Sequence, residues 1–194
     1  MVMSTRYFSQ LIRTIRTMAN EGIPSTEIEA LCKTPHPFTK GFMCQQTMYR
    51  IKDPRKSLPF YTEVLGMTLL EQLHVPARKY SIFFLGHENP EDIPKDRNER
   101  VAWMMSKKGV LELTHNWGTE NDDSSYHHGN TEPQGFGHIG IIVPSLKDAC
   151  AKFDELGVKF VRRPEEFSAK GLAFIADPDG YWIELLDVNE ILTN

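Results

Sequence analysis

Gln46-Thr-Met-Tyr-Arg-Ile51 and His138-Ile-Gly-Ile-Ile-Val143 begin two stretches of this chain that read as copies of one another. The first continues through a helical run ending Val64-Leu65-Gly66 to a strand-like Leu111-Glu112-Leu113. The second continues through a run ending Glu155-Leu156-Gly157 to Ile183-Glu184-Leu185. Superposing the copies sets Gln46 on His138 and Glu112 on Glu184. The longer span of the first copy is accounted for by the charged segment His87–Arg100 and its margins. A repeat that aligns Gln with His and Glu with Glu points to a metal site of two-fold character, not merely to a duplicated core.

Strand alternation sorts these residues by face, since side chains two apart point the same way. Gln46, Met48 and Arg50 share one face, with Thr47, Tyr49 and Ile51 on the other. Glu112, Thr114 and Asn116 lie opposite Leu111 and Leu113, which turns His115 away from the Glu112 face. His138 and Gly140 lie opposite Ile139, Ile141 and Val143, while Trp182 and Glu184 lie opposite Tyr181, Ile183 and Leu185. The apolar sets can pack against a helix layer, so the polar sets project from the open face. Each Glu then sits half-enclosed among Leu, Trp and Phe, where a carboxylate is costly unless paired or metal-bound. Two carboxylates, an imidazole and an amide oxygen suit a divalent ion that keeps positions for water. Taken singly, each is an ordinary strand residue; their equivalence under the repeat gives them weight.

Composition excludes several other classes. The chain of 194 residues is 40% hydrophobic and 25% charged with a net charge of -4, which offers no basic field for nucleic acid. No stretch approaches the roughly 20 apolar residues of a membrane span. Cys32, Cys44 and Cys150 are widely spaced, form no CxxC, and read as reduced thiols rather than a disulfide framework. Residues 1–20 carry Arg6, Arg13 and Arg16 without an acidic residue, with Tyr7, Leu11, Ile15 and Met18 near helical spacing. That pattern fits either a plain arm on a cytoplasmic protein or a mitochondrial presequence.

The organisation follows: an N-terminal arm over 1–42, a first module over 43–117, a linker over 118–133 and a second module over 134–190. Within the arm, Ser25-Thr-Glu-Ile-Glu opens a short helix. Asp53-Pro54 is a capped helix start and Gly66 its stop, with Pro59 forcing a tight first turn or a kink. Met67–Glu71, Tyr80–Leu85, Val101–Met105 and Val110–Thr114 read as strands, with His87–Arg100 a solvated loop between them. In the second module Ser145 caps a helix with Asp148 three residues on, and Leu146, Ala149, Cys150, Phe153 and Leu156 form its buried stripe. Leu172–Ala176, the turn Asp177-Pro-Asp-Gly180 and Tyr181–Leu185 form a hairpin; the acidic turn reads as a turn only. His127 and His128 read as solvated linker residues. The fold class expected from these elements is α+β, with two repeated modules forming a curved open sheet around a metal site.

The segments Gln45–Pro54, Leu111–Glu120, Gly135–Ile141 and Leu172–Glu184 resemble the eukaryotic glyoxalase I family (lactoylglutathione lyases) of the vicinal oxygen chelate superfamily. The likeness covers about residues 43–188 and omits the arm. It implies a fold of paired βαβββ modules and isomerisation of the glutathione–methylglyoxal hemithioacetal to S-D-lactoylglutathione. It also implies one Zn2+ per site, held by Gln46, Glu112, His138 and Glu184, in a homodimer whose sites take one ligand pair from each chain. Gln at the first ligand and the long 87–100 insertion resemble the zinc-using class more than the nickel-using bacterial one. Glu184 is implied as the principal base and Glu112 as the second proton handler, through an enediolate.

By the same resemblance Arg50 and Asn116 hold the γ-glutamyl end of glutathione, and Met48 and Leu172 line the pocket for the aldehyde-derived group. Two family positions differ. Gln134 stands where the family has Arg, and an amide cannot replace a bidentate guanidinium. Arg162 replaces a Lys at the glycine-carboxylate end, which keeps the charge, while Ser168-Ala169 replaces a Lys-Met pair. Two rivals remain open on the same fold: a binding module that sequesters small molecules, and a metal-dependent transferase or dioxygenase. An oxygen-activating iron site would favour two His and one carboxylate.

Overall fold

Eight strands alternate with short helices, and the computed structural model describes residues 22–193. The presequence-like segment over 1–20 lies outside the described residues. The chain divides into two units at Phe42/Met43. In the first, helix α1 (Ser25–Leu31) forms where expected and buries none of its residues. A short turn, Pro37–Thr39, follows it, with the His36 ring accepting a hydrogen bond from Phe38 N at 3.1 Å.

The second unit carries the repeat. Its first sheet contains β1 (Gln46–Ile51), β2 (Thr68–Val75), β3 (Tyr80–Gly86) and β4 (Val110–Asn116), in the order β1-β4-β3-β2. Its second sheet contains β5 (His138–Ile142), β6 (Phe160–Arg162), β7 (Leu172–Ala176) and β8 (Trp182–Leu186), in the order β5-β8-β7-β6. In both, the first and last strands pair in parallel and the other pairs are antiparallel. The register repeats too: Glu112 lies opposite Met48, two residues beyond Gln46, and Glu184 lies opposite Gly140, two residues beyond His138. The expected α+β fold of paired βαβββ modules therefore stands, as two open sheets.

The alternation also holds. Tyr49, Ile51, Leu111 and Leu113 of the first sheet share one core with Ile175, Ile183 and Leu185 of the second. Full burial of a residue such as Leu113 or Ile183 contributes about 1.5–3 kcal/mol, so these faces fix which side of each sheet stays open. Helix α2 (Pro54–Pro59) starts on Asp53, whose side chain accepts from Arg55 N at 3.0 Å, and continues as a π-helical turn over Phe60–Val64. The disturbance expected at Pro59 takes the form of this wider π turn, which starts just after it, rather than a tightened turn, because proline cannot sustain the regular ladder there. The Thr62 hydroxyl takes the Leu58 carbonyl at 2.8 Å, and Gly66 closes the helix at φ +69.

Three expectations are corrected. Val101–Met105 is not a strand but part of helix α3 (Arg97–Met105), capped by Asp96, which accepts from Asn98 N and Glu99 N. The four-stranded sheet is already complete, and this helix packs Met104 and Trp103 with Leu70, Phe84, Val110 and Ile82. Residues 87–96 of the insertion form a largely exposed loop with one short turn at Pro90–Asp92, as expected, and only its end, from Arg97, enters the helix. In helix α4 (Leu146–Glu155), Ser145 caps as expected and Leu146 and Phe153 are buried, but Leu156 is exposed past the helix end. Strand β6 supplies the strand that the implied βαβββ module requires and that the residue pattern alone had not located. A short helix α5 (Val188–Ile191) follows β8, capped by Asp187.

Candidate functional site

On the open face of the first sheet, the Gln46 side-chain amide donates to the Glu112 carboxylate, and Thr114 Oγ1 donates to Glu112 Oε1 at 3.2 Å. Parallel pairing of β1 and β4 produces this contact, because it places the two side chains one pleat apart on the same face. Phe84 pairs with Glu112 and Ile82 with Thr114, so both stand on the Glu112 face. Helix α3 covers that part of the sheet, and Gln45 Nε2 ties it down through the Met104 carbonyl at 3.2 Å. Glu112 thus has an amide and a hydroxyl as partners and an apolar wall beside it.

Farther along the same face stand Met48, Arg50 and Asn116. Met48 and Arg50 are exposed, and Asn116 Nδ2 donates to the Tyr126 hydroxyl at 3.3 Å. His115 points away, as expected, to Glu120 Oε2 at 2.8 Å. Backbone N–H bonds, its own and that of Gly118, and then the His115 ring hold the Glu120 carboxyl below its usual value.

The second sheet carries the other pair. His138 Nε2 lies 3.3 Å from Glu184 Oε2, with side chains 40% and 21% exposed. Gly140, in the position of Met48, leaves this approach open: a Cβ there would stand 3.1 Å from Leu186 Cδ1 and 3.9 Å from Glu184 Oε2. Around the pair runs an aromatic row. Phe174, opposite Glu184 in register, meets the His138 ring edge-on at 5.1 Å, Trp182 at 5.8 Å and the face of Phe167 at 5.8 Å. Arg162 lies 3.9 Å above Phe167 and donates to the Glu166 carbonyl at 2.7 Å. Leu172 is half-buried on β7, on the Phe174 face. Gln134, Ser168 and Ala169 are exposed in loops. His128 is not simply solvated: it stacks on Trp182 at 6.4 Å and accepts from Asn130 N, whereas His127 is exposed.

The structure therefore brings the predicted ligands together as two pairs, Gln46 with Glu112 and His138 with Glu184. Among the described residues no three His, Cys, Asp or Glu gather into a metal cluster within one chain. The donor types fit a divalent ion: each pair offers one carboxylate and one further donor, an imidazole nitrogen in one and, once the side chain turns, the Gln46 amide oxygen in the other. Each pair lies on the open face of its own sheet. A hollow of about 520 Å3 is lined instead by Thr47, Met67, Leu111, Ile139 and Ile141, largely on the apolar side of the strands. Sequence reasoning set Trp182 on the Glu184 face but missed the wall from α3, the Thr114 contact and Phe174. Phe174 could have been found, since alternation along a hairpin puts it beside Glu184.

Residues 44–185 match the Glyoxalase/Bleomycin resistance protein/Dioxygenase superfamily. The chain is 45% identical over 166 residues to a lactoylglutathione lyase of Pseudomonas aeruginosa, covering 85% of this chain and 94% of that protein. It is 50% identical over 151 residues to the Pseudomonas putida lactoylglutathione lyase, covering 77% and 87% of the two. Among solved structures, the trypanothione-dependent glyoxalase I of Leishmania major aligns with a TM-score of 0.60 at 34% identity, over 79% of this chain and 91% of that one.

Proposed function

The chain belongs to the Glyoxalase/Bleomycin resistance protein/Dioxygenase superfamily, and we propose that within it the protein acts as a lactoylglutathione lyase. It isomerises the hemithioacetal of glutathione and methylglyoxal to S-D-lactoylglutathione, which removes methylglyoxal. The observation that carries this reading is the pair of register-equivalent half-sites, Gln46–Glu112 and His138–Glu184, on open sheet faces. Named relatives of that activity at 45% and 50% identity support it.

The ligands to a divalent ion, Zn2+ in this proposal, are Gln46, Glu112, His138 and Glu184. A bound ion would supply Lewis acidity toward the substrate oxygens. Because each chain offers the ligands as pairs on separate sheets, the proposed assembly is a homodimer in which one chain's Gln46 and Glu112 face the partner's equivalent of the second pair. The chemistry of the side chains is proton transfer between adjacent carbons. Glu184 takes the proton from the hydroxyl-bearing carbon attached to sulfur, a proton returns to the neighbouring carbonyl carbon, and the hydroxyl proton passes to the former carbonyl oxygen, so no atom or electron is gained or lost. The aromatic row around Glu184 limits access of water to the carboxylate. Glu112, held by Gln46 and Thr114, is the second proton handler. Proton transfer of this kind contributes about 10² to 10⁴ in rate.

Arg50 and Asn116 are assigned the γ-glutamyl end of glutathione and Arg162 the glycine carboxylate, with Met48 and Leu172 beside the aldehyde-derived group. Gln134 contributes at most single hydrogen bonds in place of a guanidinium fork. The site of action is assigned to the cytoplasm, with a mitochondrial destination through residues 1–20 as the alternative. The test is turnover of the glutathione–methylglyoxal adduct by purified protein before chelation, after it, and after zinc is added back. Activity that vanishes and returns is expected. A zinc-replete protein without turnover would overturn the assignment in favour of a binding role.

A further inference from the structure

The turn Asp177-Pro-Asp-Gly180 carries two carboxylates that reach out of their own module, and both end on the first. Asp177 is buried at 5% exposure; its Oδ2 accepts from the Tyr61 hydroxyl of the first module's helix at 2.8 Å. Its Oδ1 accepts from Asp179 N at 2.9 Å and Tyr181 N at 2.8 Å, which sets the turn's shape. Asp179 then accepts from Lys52 N at 3.1 and 3.3 Å and from Ser57 Oγ at 3.3 Å. Tyr181 stacks on Tyr49 at 4.6 Å and donates its hydroxyl to the Arg50 carbonyl at 3.1 Å. Two residues of the turn region thus hold the β1 backbone on either side of Ile51, at Arg50 O and Lys52 N. From the other direction the Thr119 hydroxyl reaches the carbonyls of Lys52 at 3.0 Å and Asn116 at 2.8 Å.

The consequence concerns Arg50. Its side chain is exposed on the open face, so its aim depends on the backbone that carries it. A turn serving only to join β7 and β8 would need neither a buried carboxylate nor a tyrosine hydroxyl directed at another module. We propose that Asp179 and Tyr181 are positioning residues for substrate binding, which act through the Arg50–Lys52 backbone to fix where Arg50 presents its charge to the ligand's α-amino-acid carboxylate. The inference rests on the glutathione reading above and extends it by naming what holds the binding end of β1.

The experiment is a binding titration of zinc-replete protein with S-hexylglutathione, a thioether that cannot turn over. Tyr181→Phe keeps the stack on Tyr49 and removes one hydrogen bond. Its Kd is expected to rise about tenfold, the effect of losing one oriented hydrogen bond. In an Arg50→Ala background the same substitution is expected to add almost nothing, because the group it aims is gone. For the glutathione–methylglyoxal adduct, KM should rise in Tyr181→Phe while kcat stays within about twofold. Should that variant fail to fold, Asp179→Asn replaces it, with faster exchange of the Lys52 amide as the sign that the clamp has opened. An unchanged Kd in the single variant, or an equal loss with and without Arg50, overturns the proposal. Wild-type protein that does not bind the probe overturns the glutathione reading, a result obtained without any variant and so distinct from failure of the clamp.

Discussion

The two modules share strand order, pairing sense and ligand register, yet they fill the equivalent connection in opposite ways. In the first, the link from β3 to β4 is a long insertion whose helix α3 lies on the open face and walls Glu112. In the second, the link from β7 to β8 is only the acidic turn and Tyr181, which faces the core side and grips the first module. One copy has elaborated the site and the other the scaffold beneath it. The half-sites differ accordingly: Glu112 has Gln46 and Thr114 as partners, while Glu184 has one imidazole and an aromatic surround. A duplicated fold needs only the shared register to build two donor pairs, and the remainder of each copy is free to specialise.

The largest test of that asymmetry is chemical. Glu184→Gln is expected to lower kcat by about 10³-fold and Glu112→Gln by about tenfold, each read from turnover of the glutathione–methylglyoxal adduct with circular dichroism unchanged. Equal losses would mean that the two carboxylates share the work.

A second test addresses the acidic turn. Burial pushes the Asp177 carboxyl up to about 6, with the Asp179 charge adding to it and the bonds from Tyr61 and Tyr181 opposing it. An unfolded aspartate titrates near 3.9, so between about pH 4 and pH 6 the folded chain holds the extra proton. Stability should therefore fall as pH rises through that window and level off above it, by on the order of 3 kcal/mol. Asp177→Asn should flatten this slope in urea unfolding of the metal-free protein. A slope unchanged in the variant would assign it to other groups.

The smallest effect tests the insertion. Glu71 is buried and accepts from Arg100 Nε at 2.9 Å, joining α3 to β2. Burial raises its carboxyl, but the bonds from the Gln72 amide and Arg100 prevail and hold it below its usual value. Arg100→Ala leaves that carboxylate without its cation and is expected to cost about 2 kcal/mol. Hydrogen exchange should quicken in α3 while β5–β8 keep their protection; uniform loss would show that α3 is no separate addition to the first module.

Much of this was legible in the sequence because alternation and duplication are local and additive. Tyr49, Ile51, Leu111 and Leu113 could be assigned to one face and Gln46 and Glu112 to the other with no knowledge of the partner strands. Pro59 announced its disturbance for the same reason, since the missing N–H acts within one turn. Val101–Met105 misled because five apolar residues in a row fit a strand as well as a helix. The Asp96 cap three residues before Glu99 was the signal that separates them.

The sequence by itself determined the fold class, the two faces of every central strand and the identity of the four candidate ligands, because each follows from spacing along the chain. Only the tertiary structure decided that these ligands stand as two pairs, that α3 walls one of them, and that Asp177, Asp179 and Tyr181 reach across to Tyr61, Lys52 and Arg50. Those contacts join residues more than a hundred positions apart. No local periodicity encodes such a meeting; it exists only once both sheets have buried their apolar faces in a common core.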